Sequence, residues 1–143
     1  MTVVALHQVS EALLEQINLL IPQLSSGAAP MTLDEFSAVV NREGTTLFVA
    51  QEGEAVVGML TLVTFNIPTE TRAWIEDVVV DESARGQGIA KELVQAALNQ
   101  AKRAGAATVD LTSRPSREAA NALYRGLGFA ARETNVYRYS FED

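Results

Sequence analysis

The first 24 residues carry two hydrophobic patterns, first that of a strand and then that of a helix. Val3 to Leu6 is a short β-forming run, and Ser10 is suited to cap the helix that follows. Because proline has no backbone N–H, Pro22 is expected to end or bend this helix. The apolar residues that recur at helical spacing are Leu13, Ile17, Leu20 and Leu24.

The next helix has a well-marked beginning at Thr32. Thr32 and Glu35 have the spacing of a capping box, and Met31 with Phe36 forms the accompanying hydrophobic staple. Gly44 suits the left-handed position that follows the end of a helix. The pattern therefore predicts a helix that starts at Thr32 and finishes by Gly44.

From Thr45 onward the pattern changes to that of strands. Leu47 to Gln51 and Ala55 to Phe65 are rich in β-formers, and the short turn Glu52 to Glu54 between them predicts an antiparallel hairpin. A third strand, Ala73 to Val80, ends in three consecutive valines. Such a run indicates a strand that is covered on both faces of the sheet.

A polar, glycine-containing loop separates this strand from an amphipathic helix that begins near Gly88. Gly105 suits the end of the helix, and Thr108 to Thr112 predicts a further short strand. The segment is thus a strand, helix, strand unit, which nearly always has a right-handed crossover. The apolar stripe of the helix consists of Ile89, Ala90, Leu93, Val94, Ala97, Leu98 and Ala101.

The end of the chain predicts one more helix and two strands. The helix starts at Pro115 or Ser116, and strands around Phe129 and over Asn135 to Phe141 are expected to close the sheet. No repeat or linker suggests a second domain. We therefore expect one α/β (α+β) domain over residues 1–143, with a mixed, mostly antiparallel sheet of six to seven strands and about four helices.

Composition narrows the possible functions. The chain has no cysteine and a single histidine, His7, which disfavours thiolate chemistry, metal centres and Ser/His/Asp triads. A net charge of −7 disfavours nucleic-acid binding and suits a cationic partner. We expect neither a membrane span nor a secretory signal, and hence a cytoplasmic protein.

The loop from Arg85 to Ala90 carries the most informative chemistry. Its glycines let the backbone approach a ligand, and the free N–H groups at a helix start favour an anion such as phosphate. Arg85 adds a positive charge. A dinucleotide fingerprint would need glycine where Lys91 stands, and a nucleotide-triphosphatase loop would need a terminal Gly, Lys and Ser or Thr, which is missing. The alternative to a phosphate-binding loop is a plain tight turn that has no binding function.

This loop resembles the acyl-CoA signature of the GCN5-related N-acetyltransferase (GNAT) superfamily, Gln/Arg, any two, Gly, any, Gly/Ala. Arg85, Gly88 and Ala90 match it. Ile75 to Val80 resembles the central strand of the family, and the run Asn121 to Phe129 resembles its second motif, which ends in Tyr, Leu, Gly, Phe. The resemblance extends over nearly the whole chain, with the first 45 or so residues matching in pattern only.

The resemblance implies a set of cofactor contacts. The pyrophosphate of acetyl-CoA would bind the backbone from Arg85 through Gly86, Gln87, Gly88 and Ile89 to Ala90, and the pantetheine arm would pair with the strand at Val78, Val79 and Val80. This strand would diverge from Thr108 to Thr112 and leave a wedge for the thioester. Many members carry, at the position of Arg117, an asparagine that bonds the cofactor. In this chain Asn121 is the nearest candidate for that cofactor contact.

The resemblance also implies the catalytic groups. Tyr124 matches the tyrosine that protonates the departing thiolate, a role that a phenol can perform. The N–H of Val78 is the candidate oxyanion donor. Glu76 and Asp77 are candidate bases that are expected to point to opposite faces, because strand side chains alternate; similarity to glucosamine-phosphate acetyltransferases favours Glu76 slightly.

The sequence therefore predicts a metal-free N-acetyltransferase that moves an acetyl group from acetyl-CoA to a primary amine of a small molecule or peptide. Direct attack in a ternary complex is expected. A noncatalytic acyl-CoA sensor and an enzyme acting on protein N-termini or lysines are alternatives, and the acidic surface suits a basic peptide. The sequence leaves open whether the protein forms a homodimer.

Overall fold

The computed structural model describes residues 1–141. Its contacts divide the chain into two compact units, Met1–Thr112 and Ser113–Asp143, and each unit is described by itself. The single domain expected from the chain length stays a prediction. The first unit contains the sheet, three α-helices and a short 3-10 helix, and the described part of the second contains one α-helix.

The sheet of the first unit is mixed, with strands in the order β1-β2-β3-β4-β5. Neighbouring strands are antiparallel except β4 and β5, which are parallel. The hairpin predicted from the β-forming runs is present as β2 and β3, and Gly53 lies in its turn with a positive φ of 61°. The strands are β1 Thr2–Ala5, β2 Thr45–Glu52, β3 Ala55–Ile67, β4 Glu70–Val80 and β5 Thr108–Asp110.

Four α-helices and a short 3-10 helix accompany the sheet in the part of the chain that the structure describes. The first helix is capped by the Ser10 side chain, and the second has the full capping box of Thr32 and Glu35. Both helix starts were predicted from sequence and are confirmed. The helices are α1 Glu11–Leu24, α2 Leu33–Asn41, α3 Ile89–Arg103 and α4 Glu118–Gly126, and the 3-10 turn is Glu82–Ala84.

The sheet lies between helices in the first unit. Met59 of β3 packs with Ile17 of α1 in one core cluster. Neighbouring strand residues point to opposite faces, so Gly58 lies on the other face, where α3 approaches. A Cβ at Gly58 would stand 3.1 Å from Leu93 and 3.2 Å from Ile89, so glycine lets α3 pack closely against β3. This contact fixes the start of α3 relative to β4.

The end of the first helix and the place of Gly44 differ from the expectations, whereas the second helix finishes before Gly44 as predicted. Pro22 lies inside α1, which continues to Leu24; because it is in the last turn, its missing N–H costs a single helical bond. The second helix ends at Asn41 with Arg42 as its C-cap. Gly44 is thus one residue past the C′ position and directly precedes β2, and its φ of 86° suits the turn there.

The sheet has five strands within residues 1–141, so the prediction of six to seven was wrong. The segments around Phe129 and from Asn135 to Phe141 form no strand. The Phe129 N–H instead donates to the Tyr124 carbonyl at 3.0 Å, which ties it to the end of α4. Strands were expected at the chain end, but a segment forms a strand only where a neighbouring strand accepts its backbone hydrogen bonds.

The last helix, α4, begins at Glu118 rather than at Pro115 or Ser116. The Asn121 side chain donates to the carbonyls of Arg114 at 2.9 Å and Pro115 at 3.5 Å. These bonds hold residues 114–115 in a turn ahead of the helix. The proline therefore belongs to that turn and not to the first helical turn.

Candidate functional site

The start of α3 presents an open backbone surface. Gly86 and Gly88 both have φ of 79°, in the left-handed region. Apart from the glycine itself and its chain neighbours, no heavy atom of the described residues lies within 4 Å of where a Cβ would stand at either position. Gly88 is the N-cap and has no side chain to bond the first N–H groups of the helix, in contrast to the capped starts of α1 and α2. This cradle has the features of an anion site.

A hydrogen-bonded clamp holds the other end of the same loop. The Gln23 side chain of α1 donates to the Asp81 carboxylate at 2.8 Å and accepts from the Glu82 N–H at 3.1 Å. Ser83 also donates to Asp81 through its hydroxyl and through its N–H, at 3.0 Å for the latter. The hydrogen bond from Ser83 has the largest effect on the pKa of Asp81, and the one from Gln23 has the next largest. Together they hold this pKa below its ordinary value. Asp81 therefore stays ionised and keeps the loop attached to α1.

We expect Gln23→Ala to weaken binding of CoA about three- to tenfold. The substitution removes two bonds to residues 81–82, each of which contributes about 1 kcal/mol or less at this part-exposed position. Gln95→Ala on α3 is the matched control, because the Gln95 side chain donates a hydrogen bond to Asn99 of its own helix and, within residues 1–141, to no other residue. Calorimetric titration with CoA measures both; equal affinities in the two variants would mean that the clamp does not organise the loop.

Pairing between β4 and β5 ends early. It comprises only three pairs, from Arg72 with Thr108 to Trp74 with Asp110. Beyond Trp74, within the described residues, β4 has no strand neighbour on that side. The family resemblance implies a wedge between these strands, and the free edge of β4 lies at the place where that wedge is expected.

A β-bulge interrupts β4 at the same place. Met59 of β3 pairs with Val79, and Thr61 pairs with Glu76, so Asp77 and Val78 together oppose a single residue. Asp77 has φ of 52°, a left-handed conformation that aspartate adopts more readily than most residues. Such conformations often occur at functional sites. The bulge frees backbone groups of Asp77 and Val78 from the β3 ladder.

The bulge also changes the expected positions of Glu76 and Asp77. Glu76 is the register partner of Thr61, and Asp77 lines a cavity together with Thr61. Antiparallel register partners share a face of the sheet, so both acids are on the Thr61 side, and the expectation of opposite faces was wrong. The Trp74 indole N–H donates to the Glu76 carboxylate at 2.7 Å. Trp74 thus orients an acid, a contact that sequence did not suggest.

The cavity beside Asp77 lies between α1, α2 and the sheet. It holds about 610 Å³ of empty space, part of it open to solvent. Its wall includes the segment between α1 and α2, and Asn18 fixes that segment by two bonds with the Met31 backbone, at 2.9 and 3.0 Å. Eleven residues line it: Ile17, Ile21, Leu24, Ser25, Ala28, Met31, Val39, Leu47, Met59, Thr61 and Asp77.

Tyr124 and Asn121 belong to the second unit. The Tyr124 side chain is buried and meets the Phe129 ring edge to face, with 5.8 Å between ring centres. Burial raises the pKa of Tyr124 above its ordinary value of 10.0, against a smaller opposing effect of the Arg117 charge. The phenol is therefore protonated at neutral pH and can donate a proton.

The structure thus gathers part of the predicted site in one unit. Glu76 to Val80 and Arg85 to Ala90 all lie in the first unit, at the adjacent ends of β4 and α3. Sequence reasoning missed Gln23, Asn18 and Asp81. Gln23 lies 58 residues before Asp81 in the chain, so no local pattern could have paired them.

Within residues 1–141, no helix is both long and apolar enough to cross a membrane. The same residues contain no group of three or more His, Asp or Glu side chains placed to hold a metal ion.

Comparison with protein families identifies the class. The family model described as Acetyltransferase (GNAT) family matches residues 13–129, which is most of the chain. The chain therefore belongs to this family, and the resemblance inferred from its motifs is confirmed.

Curated relatives match over part of their length. N-acetyltransferase 8 from Homo sapiens is 35% identical over 98 residues, which cover 67% of this chain and 43% of that protein. N-alpha-acetyltransferase 30 from Schizosaccharomyces pombe is 34% identical over 93 residues, 64% of this chain and 61% of that protein. The chain thus spans about half the length of these relatives.

Solved structures match over almost the full chain. An acetyltransferase from Trypanosoma brucei superimposes with a TM-score of 0.81 at 26% sequence identity, and the match covers 97% of this chain and 99% of that one. The fold is therefore that of an acetyltransferase.

Proposed function

We propose that this protein transfers an acetyl group from acetyl-CoA to a primary amine by direct attack in a ternary complex. The observation that carries the proposal is the open, uncapped start of α3, with its two left-handed glycines, next to a β4 edge that has no strand neighbour in the described chain. Family membership supports the same chemistry.

The residues present fit the cofactor. The backbone N–H groups from Gly86 to Ala90 would hold the pyrophosphate, because Gly86 and Gly88 leave the surrounding space open. Arg85 is exposed and bonds the Val80 carbonyl through Nε at 3.2 Å, which leaves its terminal nitrogens to pair with a phosphate. The free edge at Val78 and Val80 would pair with the pantetheine arm, as an added strand does.

Acetyl-CoA supplies an activated acyl carbon when bound. The amine nitrogen bonds to that carbon as the carbon–sulfur bond breaks, so the products are an amide and free CoA. The Val78 N–H would donate to the acyl oxygen. Asp77 would take the proton that the amine loses, and Tyr124 would give one to the departing sulfur. Asp77 is preferred over Glu76 because it lines the cavity and Glu76 is held by Trp74.

We expect Asp77→Asn to lower kcat/KM about 30-fold and Glu76→Gln to lower it less than about threefold. Only Asp77 borders the cavity, and a general base contributes about 10²- to 10⁴-fold when fully engaged. Release of CoA thiol with a saturating amine measures both variants. A larger loss in Glu76→Gln would transfer the base role to Glu76.

A peptide acceptor is the second candidate. The net charge of −7 favours a basic peptide, and one relative is named as an N-alpha-acetyltransferase. Measuring thiol release with a panel of small amines and of peptides with free N-termini distinguishes a small-molecule acceptor from a peptide acceptor. Tight CoA binding without amine-dependent release would instead support the noncatalytic sensor.

A further inference from the structure

We infer that the cavity beside Asp77 is the acceptor subsite and that it selects a primary amine attached to one apolar group. The inference rests on the proposed acetyl transfer and adds the substrate class. The cavity reaches the bulged segment of β4, where Asp77 immediately precedes Val78, the part of the free edge that would hold the thioester. An amine at Asp77 would therefore lie next to the proposed position of the acyl carbon.

The lining determines the class of amine. Eight of the eleven lining residues are apolar, among them Ile17, Leu47 and Met59 on the cavity side of the core. A hydrophobic pocket with few polar groups favours an apolar ligand part, because burying a polar group without a hydrogen bond is costly. A polyamine or a sugar amine would leave polar groups unpaired against this wall.

The polar lining residues sit where they would hold the amine. Among the described residues of the lining, Asp77 is the only charged one, and it carries the charge opposite to that of an ammonium group. In the described chain, no hydrogen bond or ion pair involves the Asp77 carboxylate, so a bound ammonium would be its partner. Thr61, on the neighbouring strand, adds a hydroxyl beside it. One cationic end and one apolar end therefore match the two parts of the cavity.

The cavity wall is held in place before any acceptor binds. Asn18 fixes the Met31 backbone, and Gln23 attaches the end of α1 to residues 81–82. Both side chains are on α1, whose Ile17, Ile21 and Leu24 line the cavity. A preorganised wall makes selection by shape and polarity effective, because little ordering is needed on binding.

The test uses two matched pairs of amines with purified protein and acetyl-CoA. The first pair is 3-methylbutylamine and 2-methoxyethylamine, and the second is a tripeptide beginning with Leu and one beginning with Ser. We expect kcat/KM at least about tenfold higher for the apolar member of each pair that reacts, as apolar pockets discriminate by such factors. The two pairs distinguish a small acceptor from a peptide.

Variants of the loop between α1 and α2 give the control. Ala28 lines the cavity and Ala29 does not, although both are exposed. Ala28→Trp should lower kcat/KM for 3-methylbutylamine at least about tenfold, whereas Ala29→Trp should change it less than about twofold. Saturation-transfer NMR with CoA-loaded protein supplies a readout without turnover. The methyl protons of 3-methylbutylamine should receive saturation from the Ala29→Trp variant and should receive none from the Ala28→Trp variant.

Three results would overturn the inference. Preference for the polar members of both pairs, with CoA binding intact, would reject the apolar subsite and leave the acetyltransferase proposal standing. Equal effects of Ala28→Trp and Ala29→Trp would place the acceptor outside this cavity. Absence of CoA binding in the unsubstituted chain would reject the proposed function, and this inference with it.

Discussion

Gly88→Val is expected to raise the Kd for CoA about 100-fold. The valine side chain would occupy the open space in front of the α3 start, where the pyrophosphate is proposed to lie. Blocking two charge-assisted bonds to backbone N–H groups costs about 2.7 kcal/mol, which corresponds to that factor. Titration calorimetry with CoA measures it directly.

Gly105→Val supplies a matched control at the other end of the same helix. Gly105 also has a left-handed φ, of 84° against 79° for Gly88, and no other part of the described chain comes within 4 Å of its Cβ position. Both variants should lose about 1–2 kcal/mol of unfolding free energy from backbone strain. Only Gly88→Val should lose CoA affinity. Equal affinities in the two variants would contradict the placement of the phosphates.

Tyr124→Phe is expected to lower kcat about 100-fold while changing the Kd for CoA less than about threefold. The substitution removes the proton donor for the departing thiolate and keeps the ring contact with Phe129. Tyr137→Phe is the control, because Tyr137 is 87% exposed in the same unit. Pre-steady-state thiol release separates the chemical step from product release. Unchanged turnover in Tyr124→Phe would remove this residue from the acid role.

The pH dependence follows from the raised pKa of Tyr124. Burial places that pKa above 10.0, so the phenol keeps its proton across pH 6 to about 9.5 and loses it only at higher pH. Ionisation of Tyr124 should therefore not lower kcat within that window. Tyr124→Phe should reduce kcat by the same factor at every pH there. A loss of kcat near pH 8 that disappears in Tyr124→Phe would contradict this assignment.

The sequence was most informative where a local pattern determines structure. The Thr32 capping box, the hairpin around Gly53 and the helix start at Gly88 are set by residues within a few positions of one another. All three are present in the structure. The motif from Arg85 to Ala90 is also a local feature, because the turn and the helix that follows it are contiguous in the chain.

The sequence was less informative where contacts between distant segments determine the local structure. The positions of Glu76 and Asp77 depend on a bulge opposite β3, which periodicity alone does not show. The clamp from Gln23 to Asp81 joins residues far apart in the chain. At the chain end, Asn135 to Phe141 was predicted to be a strand, but a strand needs a paired neighbour, which a local sequence pattern does not reveal.

The central claim is that backbone N–H groups at the start of α3 bind the diphosphate of CoA. NMR titration of ¹⁵N-labelled protein tests it most directly, with pantetheine, which lacks the diphosphate, as the comparison ligand. The amide signals of Gly86, Gly88 and Ala90 should move with CoA and stay in place with pantetheine. If CoA binds and these amides do not respond, or respond equally to pantetheine, the claim is contradicted.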